Sequence, residues 1–109
     1  MDWNKEKFDW PHHNLSNFVI SDPHTWHIQD TEKIYRNKYK SPVLLFIHGA
    51  GASTHSWRLI LDYLKKRFRV ILIDLPGHGF TKLGKKNRSS LEFITEDLEL
   101  LLIKLNLKP

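Results

Sequence analysis

An α/β fold built on a parallel sheet is what this 109-residue chain predicts, and three features predict it. Residues 43–47 (VLLFI) and 70–73 (VILI) are apolar at every position. Strands covered on both faces by helices read this way. One helical period separates these runs and a second follows them, and each run opens into a loop containing glycine. Buried strands alternating with helices define an α/β architecture with a parallel sheet.

Each element follows from local pattern. Residues 1–15 are polar, with Trp3, Phe8 and Trp10 irregularly spaced, and read as an extended N-terminal arm whose aromatics dock on a larger body. Residues 16–109 form the α/β part. Residues 16–21 (SNFVIS) and 25–30 (TWHIQD) are β-prone, and the intervening Asp22-Pro23-His24 is a turn former, which predicts a hairpin. Residues 31–42 are charged and irregular, and read as a loop. Trp57, Ile60, Leu61, Leu64 and Phe68 make one apolar stripe at helical spacing, with Ser53 as a candidate N-cap. Ser89 and Glu92 have capping-box spacing ahead of a second stripe: Leu91, Ile94, Leu98, Leu101, Leu102 and Leu105. Acidic Glu92, Glu96, Asp97 and Glu99 lie toward the start of that helix and Lys104 and Lys108 toward its end, complementing the helix dipole. Asn106 and Pro109 fit its termination.

Composition narrows the function classes. There is no cysteine, which excludes disulfides and thiolate-held zinc. The polar start does not read as a secretory signal, and the apolar runs are far too short to span a bilayer. The net charge is +5, with basic residues gathered at 65–69 and 82–88. Neither cluster interleaves aromatics at base-stacking intervals, so solvated surface is the reading rather than nucleic-acid binding.

Two loops carry candidate chemistry. His48-Gly49-Ala50-Gly51 follows the first buried strand. A loop at the carboxyl end of a parallel strand aims backbone N–H groups into the crevice where ligands of open α/β sheets bind. Such donors stabilise the oxyanion of acyl transfer, and glycine permits close approach. A tight strand-to-helix turn explains the glycines equally well. Asp74-Leu75-Pro76-Gly77-His78-Gly79-Phe80 follows the second buried strand. It is a sharp turn in which Asp74 is expected to hydrogen-bond backbone rather than act as a catalytic carboxylate. Asp74, Gly77, His78 and Phe80 would line the mouth of a site.

Taken together, His48-Gly49, Trp57 on the next helix and the D-x-x-G-x-G turn at residues 74–79 resemble the α/β-hydrolase family. The resemblance implies a β-hairpin followed by βαβα, with the strand order beginning 1-2-4-3. It also implies the N-terminal part of a hydrolase sheet that stops before the nucleophile strand. The apolar strand at residues 43–47 would then be an unpaired edge. A narrower likeness includes Asp9-Trp10-Pro11, Trp26-His27-Ile28-Gln29, residues 51–58 and residues 74–81. It is to the magnesium chelatase accessory subfamily of bacteriochlorophyll biosynthesis.

Carried onto this chain, the family pattern makes the Ala50 N–H one oxyanion donor, supported by His48, Gly49 and Gly51. The nucleophile would lie in a G-x-S-x-G elbow, which this chain lacks, as it lacks the later acid and histidine. The parent would be a serine-type acyl hydrolase acting on a small apolar substrate. The alternative is a non-enzymatic module that binds an apolar ligand such as a tetrapyrrole. Implied partners are magnesium chelatase or tetrapyrrole-pathway proteins. The implied location is cytoplasmic, with a membrane surface as a second place. No metal or organic cofactor is implied. Ser53 is not an elbow serine, because His55 stands where the final glycine belongs. The stretch GFTKLGKK matches a phosphate-binding loop until Lys86 replaces its Ser or Thr. His24 and His27, three apart on a strand, point to opposite faces and do not form a metal pair.

Overall fold

The computed structural model describes residues 2–35, 43–49, 52–84 and 86–107. Ahead of the sheet the backbone is helical in short pieces. Asp2 caps α1 (Trp3–Glu6) by accepting the Asn4 N–H at 3.0 Å, and single turns follow at Lys7–Asp9 and His13–Leu15. This corrects the extended arm that the sequence predicts. Side-chain anchors are the reason. Trp3 packs edge-on against Phe80 and Phe18, and the Trp10 indole donates to the Thr54 hydroxyl at 3.1 Å. The backbone folds back between these anchors, and each turn supplies partners for its own polar groups.

β1 (Ser16–Ser21) and β2 (His24–Asp30) form the expected hairpin, with Ser16 opposite Gln29 and Ser21 opposite His24. β3 (Leu44–Ile47) pairs parallel with β4 (Val70–Ile73), and β4 pairs antiparallel with β2. A parallel pair needs a crossover, which α2 (Arg58–Leu64) supplies. The sheet order is β1-β2-β4-β3, the order the resemblance implies.

Helices cover both faces. On one, Leu101 and Leu102 of α3 (Leu91–Lys104) pack on Trp26, Ile28, Ile71 and Ile73. On the other, Leu61 of α2 meets Leu15, Val70 and Leu72. β4 is therefore buried at every position, as its composition predicts. Each such side chain contributes about 1.5–3 kcal/mol.

β3 corrects its prediction. Leu44 and Phe46 pack toward α2, but Leu45 and Ile47 are 36% and 40% exposed. They share a face with Ile71 and Ile73, and α3 lies toward β1, β2 and β4 rather than over β3.

Smaller differences concern the helices. Ser90, not Ser89, caps α3, accepting the Phe93 N–H at 3.3 Å, and Leu91 is left 81% exposed. Asp97, one of the acidic residues placed toward the helix start, is buried. Ile60 of the α2 stripe is exposed at the helix flank. At the far end of α3, Asn106 takes a left-handed φ of 61°. The N–H groups of Asn106 and Leu107 return to the Ile103 and Leu102 carbonyls, closing a Schellman turn. The predicted loop after β2 begins with a single turn, Thr31–Lys33. Residues 36–42 and Pro109 lie outside the described residues. No described helix is long and apolar enough to cross a membrane.

Candidate functional site

β3 delivers His48 and Gly49 to the carboxyl end of the sheet. Ala50, the expected oxyanion donor, and Gly51 lie outside the described residues. The part that is described is fixed by the His48 ring, which is buried. Its Nδ1 stands 2.7 Å from the Gly49 carbonyl, which only accepts, so Nδ1 carries the proton. Its Nε2 accepts the Leu75 N–H at 2.9 Å. One imidazole thus ties the loop after β3 to the turn after β4, with both ring nitrogens occupied. His78, from that turn, lies over it at a ring separation of 5.1 Å.

The turn itself is organised by Asp74, which is fully buried. Its carboxylate accepts the Phe80 N–H at 3.0 Å and the Thr54 N–H at 2.6 Å. It also accepts a 2.6 Å hydrogen bond from His27 Nδ1. Gly77 and Gly79 take φ values of 79° and 51°. A Cβ on Gly79 would lie 2.3 Å from the Asp74 carboxylate, so this glycine is required twice over. Asp74 has the structural role expected of it.

His27 Nε2 stands 2.7 Å from the Ser16 hydroxyl. With Nδ1 donating to Asp74, Nε2 is left as the acceptor of the Ser16 hydroxyl proton, and that hydroxyl in turn accepts from Gln29. Asp74, His27 and Ser16 form one buried relay, and Trp3, Phe18 and Phe80 pack around the His27 ring. Phe80, a residue of the turn, is buried against Trp3 and Trp10. Sequence reading missed the partnership of His27 with Asp74, which are 47 positions apart. The available signal was a polar residue on a strand otherwise destined for burial.

A second polar cluster secures the rest of the loop. His24 Nδ1 accepts the Gly84 N–H at 3.0 Å, so Nε2 donates to Asp97 at 2.7 Å. Arg88 reaches both Asp97 oxygens and Glu96. Burial pushes the Asp97 carboxyl upward, but hydrogen bonds from Arg88 and His24 outweigh it and hold the group below the ordinary carboxylate value. The Arg88 guanidinium is raised in turn, first by its hydrogen bond to Asp97 and then by that to Glu96. Arg69 likewise pairs with Asp30 and Glu32, so the two basic clusters spend arginines on internal ion pairs. His24 and His27 have separate carboxylate partners, as their spacing predicts. Ser53 caps the turn Thr54–Trp57, its hydroxyl accepting the His55 N–H at 3.2 Å. Among the described residues no three metal-ligating side chains of His, Asp or Glu gather at one place.

Known proteins resemble this chain in sequence and fold. Residues 42–109 match the family model of the alpha/beta hydrolase fold. Over 101 residues, 93% of this chain, the sequence is 39% identical to the magnesium-chelatase 30 kDa subunit of Rhodobacter capsulatus, covering 34% of it. Over 72 residues, 64% of this chain, it is 35% identical to protein phosphatase methylesterase 1 of Bos taurus, covering 19% of it. A solved structure described as a candidate lipase from Acinetobacter baumannii AYE superposes with a TM-score of 0.74 at 26% identity, over 99% of this chain and 35% of that one. The chain thus spans about a third or less of the length of the curated relatives it matches. By its family-model match, its sheet order and its paired loops after β3 and β4, this chain belongs to the alpha/beta hydrolase fold family.

Proposed function

We propose that this chain supplies the oxyanion side of a serine-type ester-hydrolysing site, in a protein akin to the magnesium-chelatase 30 kDa subunit. The observation that carries this reading is the pinning of His48. Its ring holds the loop after parallel β3 against the turn after β4 through the Leu75 N–H. Preorganised backbone donors are worth most where nothing must move as charge develops. In this reading the Ala50 N–H is the donor, with His48, Gly49 and Gly51 shaping its approach. Gly77, His78 and the Asp74-anchored turn bound the mouth. The nucleophile, acid and base come from sequence outside this chain. A methylesterase among the relatives supports ester chemistry. The likeness to a chelatase subunit supports a place beside tetrapyrrole metabolism.

The test is hydrolysis of short-chain p-nitrophenyl esters by the hydrolase-length protein that carries this segment. Ala50→Pro removes the donor N–H, and kcat falls about 100- to 1000-fold with KM little changed. Ala50→Gly keeps the N–H and the activity. Equal activity in both variants refutes the assignment.

A further inference from the structure

A cavity of about 560 Å³ opens beside the hairpin, and neither His48 nor Gly49 lines it. Its floor is aromatic: Trp3, Phe18 and Phe80 all line it. Its rim carries Thr25, Asp2 and Lys82.

The floor is preorganised. Phe18 stands opposite His27 across the hairpin, and all three floor rings pack on the His27 imidazole at 5.0–5.4 Å. That imidazole is locked between Asp74 and Ser16. The Phe80 N–H is held by Asp74, and the Lys82 N–H by the Thr25 carbonyl. Rings fixed from beneath present an apolar surface without an ordering cost on binding. The volume is that of a small-ligand site.

The two rim charges are not equivalent. Asp2 is committed: its carboxylate caps α1 through the Asn4 N–H. The Lys82 ammonium makes no ion pair among the described residues. An aromatic floor beside one uncommitted cation fits a flat ring that bears an anion.

We propose that this cavity binds a small aromatic carboxylate. Its ring rests on Phe18 and Trp3, and its carboxylate reaches the Lys82 ammonium. The site shares the Asp74-anchored turn with the ester-hydrolysing site proposed above, but it needs neither His48 nor Ala50 and does not rest on that reading.

The probe is sodium 2-naphthoate titrated into the isotope-labelled chain, followed by amide correlation spectra. Saturable shifts centred on Phe18, Thr25, Phe80 and Lys82 are expected. Lys82→Gln, at an exposed position, leaves the spectrum otherwise superimposable and weakens binding about fivefold, the upper range for a solvent-exposed pair. Phe18→Leu keeps the strand apolar, removes one floor ring and weakens binding as well. The cation 2-naphthylmethylammonium binds more weakly than the acid. Equal or tighter binding of that cation overturns the proposal. So do Lys82→Gln affinity equal to wild type, and shifts that fail to saturate at millimolar probe.

Discussion

His27 Nδ1 and Asp74 Oδ2 lie 2.6 Å apart, with neither side chain exposed to solvent. The bond joins the middle of β2 to the first residue after β4, and the same two residues meet again where the Asp74 N–H donates to the His27 carbonyl at 3.1 Å. Asp74 is thus the point where the hairpin, the mouth turn and the segment after the candidate oxyanion loop are held together.

Removing that carboxylate strands three buried donors at once. Asp74→Ala is expected to cost about 3–5 kcal/mol, the range for an uncompensated buried polar partner. Asp74→Asn keeps the shape and one acceptor, and costs less. Urea midpoints of the two variants against wild type check the ranking.

Gly79→Ala is expected to destabilise by more than the roughly 1 kcal/mol of a simple left-handed strain. The added Cβ meets the Asp74 carboxylate at 2.3 Å as well as adopting a φ of 51°. Gly77→Ala shares the positive φ, but its Cβ finds only the Leu83 side chain at 3.9 Å. It should lose less, and the difference between the two melting temperatures isolates the clash.

Asp97 gives a pH dependence with a definite sign. Its carboxyl is held below the ordinary value in the folded chain, so the unfolded chain takes up its proton first as acid is added. The resulting stabilisation is complete above the unfolded carboxylate value, near pH 4. It is lost as pH falls through the lower folded value. Asp97→Asn should flatten the acid limb of a stability-against-pH curve, measured by denaturant titration, while leaving the neutral region with a constant offset.

The His48 tautomer is assigned by its partners. Long-range nitrogen–proton correlation at neutral pH should show a protonated Nδ1 and an acceptor-type Nε2. His48→Phe keeps the ring but drops both bonds, so hydrogen exchange at Leu75 should quicken while exchange within β4 stays slow.

Much of the fold was legible because it follows from local pattern. The wholly apolar β4, the Asp-Pro hairpin and the turn role of Asp74 all come from residues adjacent in sequence. The failures are of another kind. Leu45 and Ile47 read like β4 residues because composition records apolarity, not which strand ends the sheet. Asp97 sits among Glu92, Glu96 and Glu99 and looks like any acidic helix face. Its burial depends on His24, 73 positions away. The arm was misread because Trp3 and Trp10 bind partners from later strands and turns. For the candidate site, both loops were legible as glycine-bearing strand exits, whereas the His48 bridge between them was not.

The order in which the chain is made gives the Asp74 hub a further meaning. Synthesis delivers the N-terminus first, and the β1–β2 hairpin is a local structure able to pair early. At that moment His27 has Ser16 beside it but neither its acid nor its Phe80 cover, since both arrive about fifty residues later. The nascent hairpin therefore carries an imidazole whose acid and last ring neighbour only the completed turn supplies. Contacts of such long range consolidate after the transition state in a local-first folding route. Substitutions at Asp74 would then act on the rate of unfolding more than on the rate of folding.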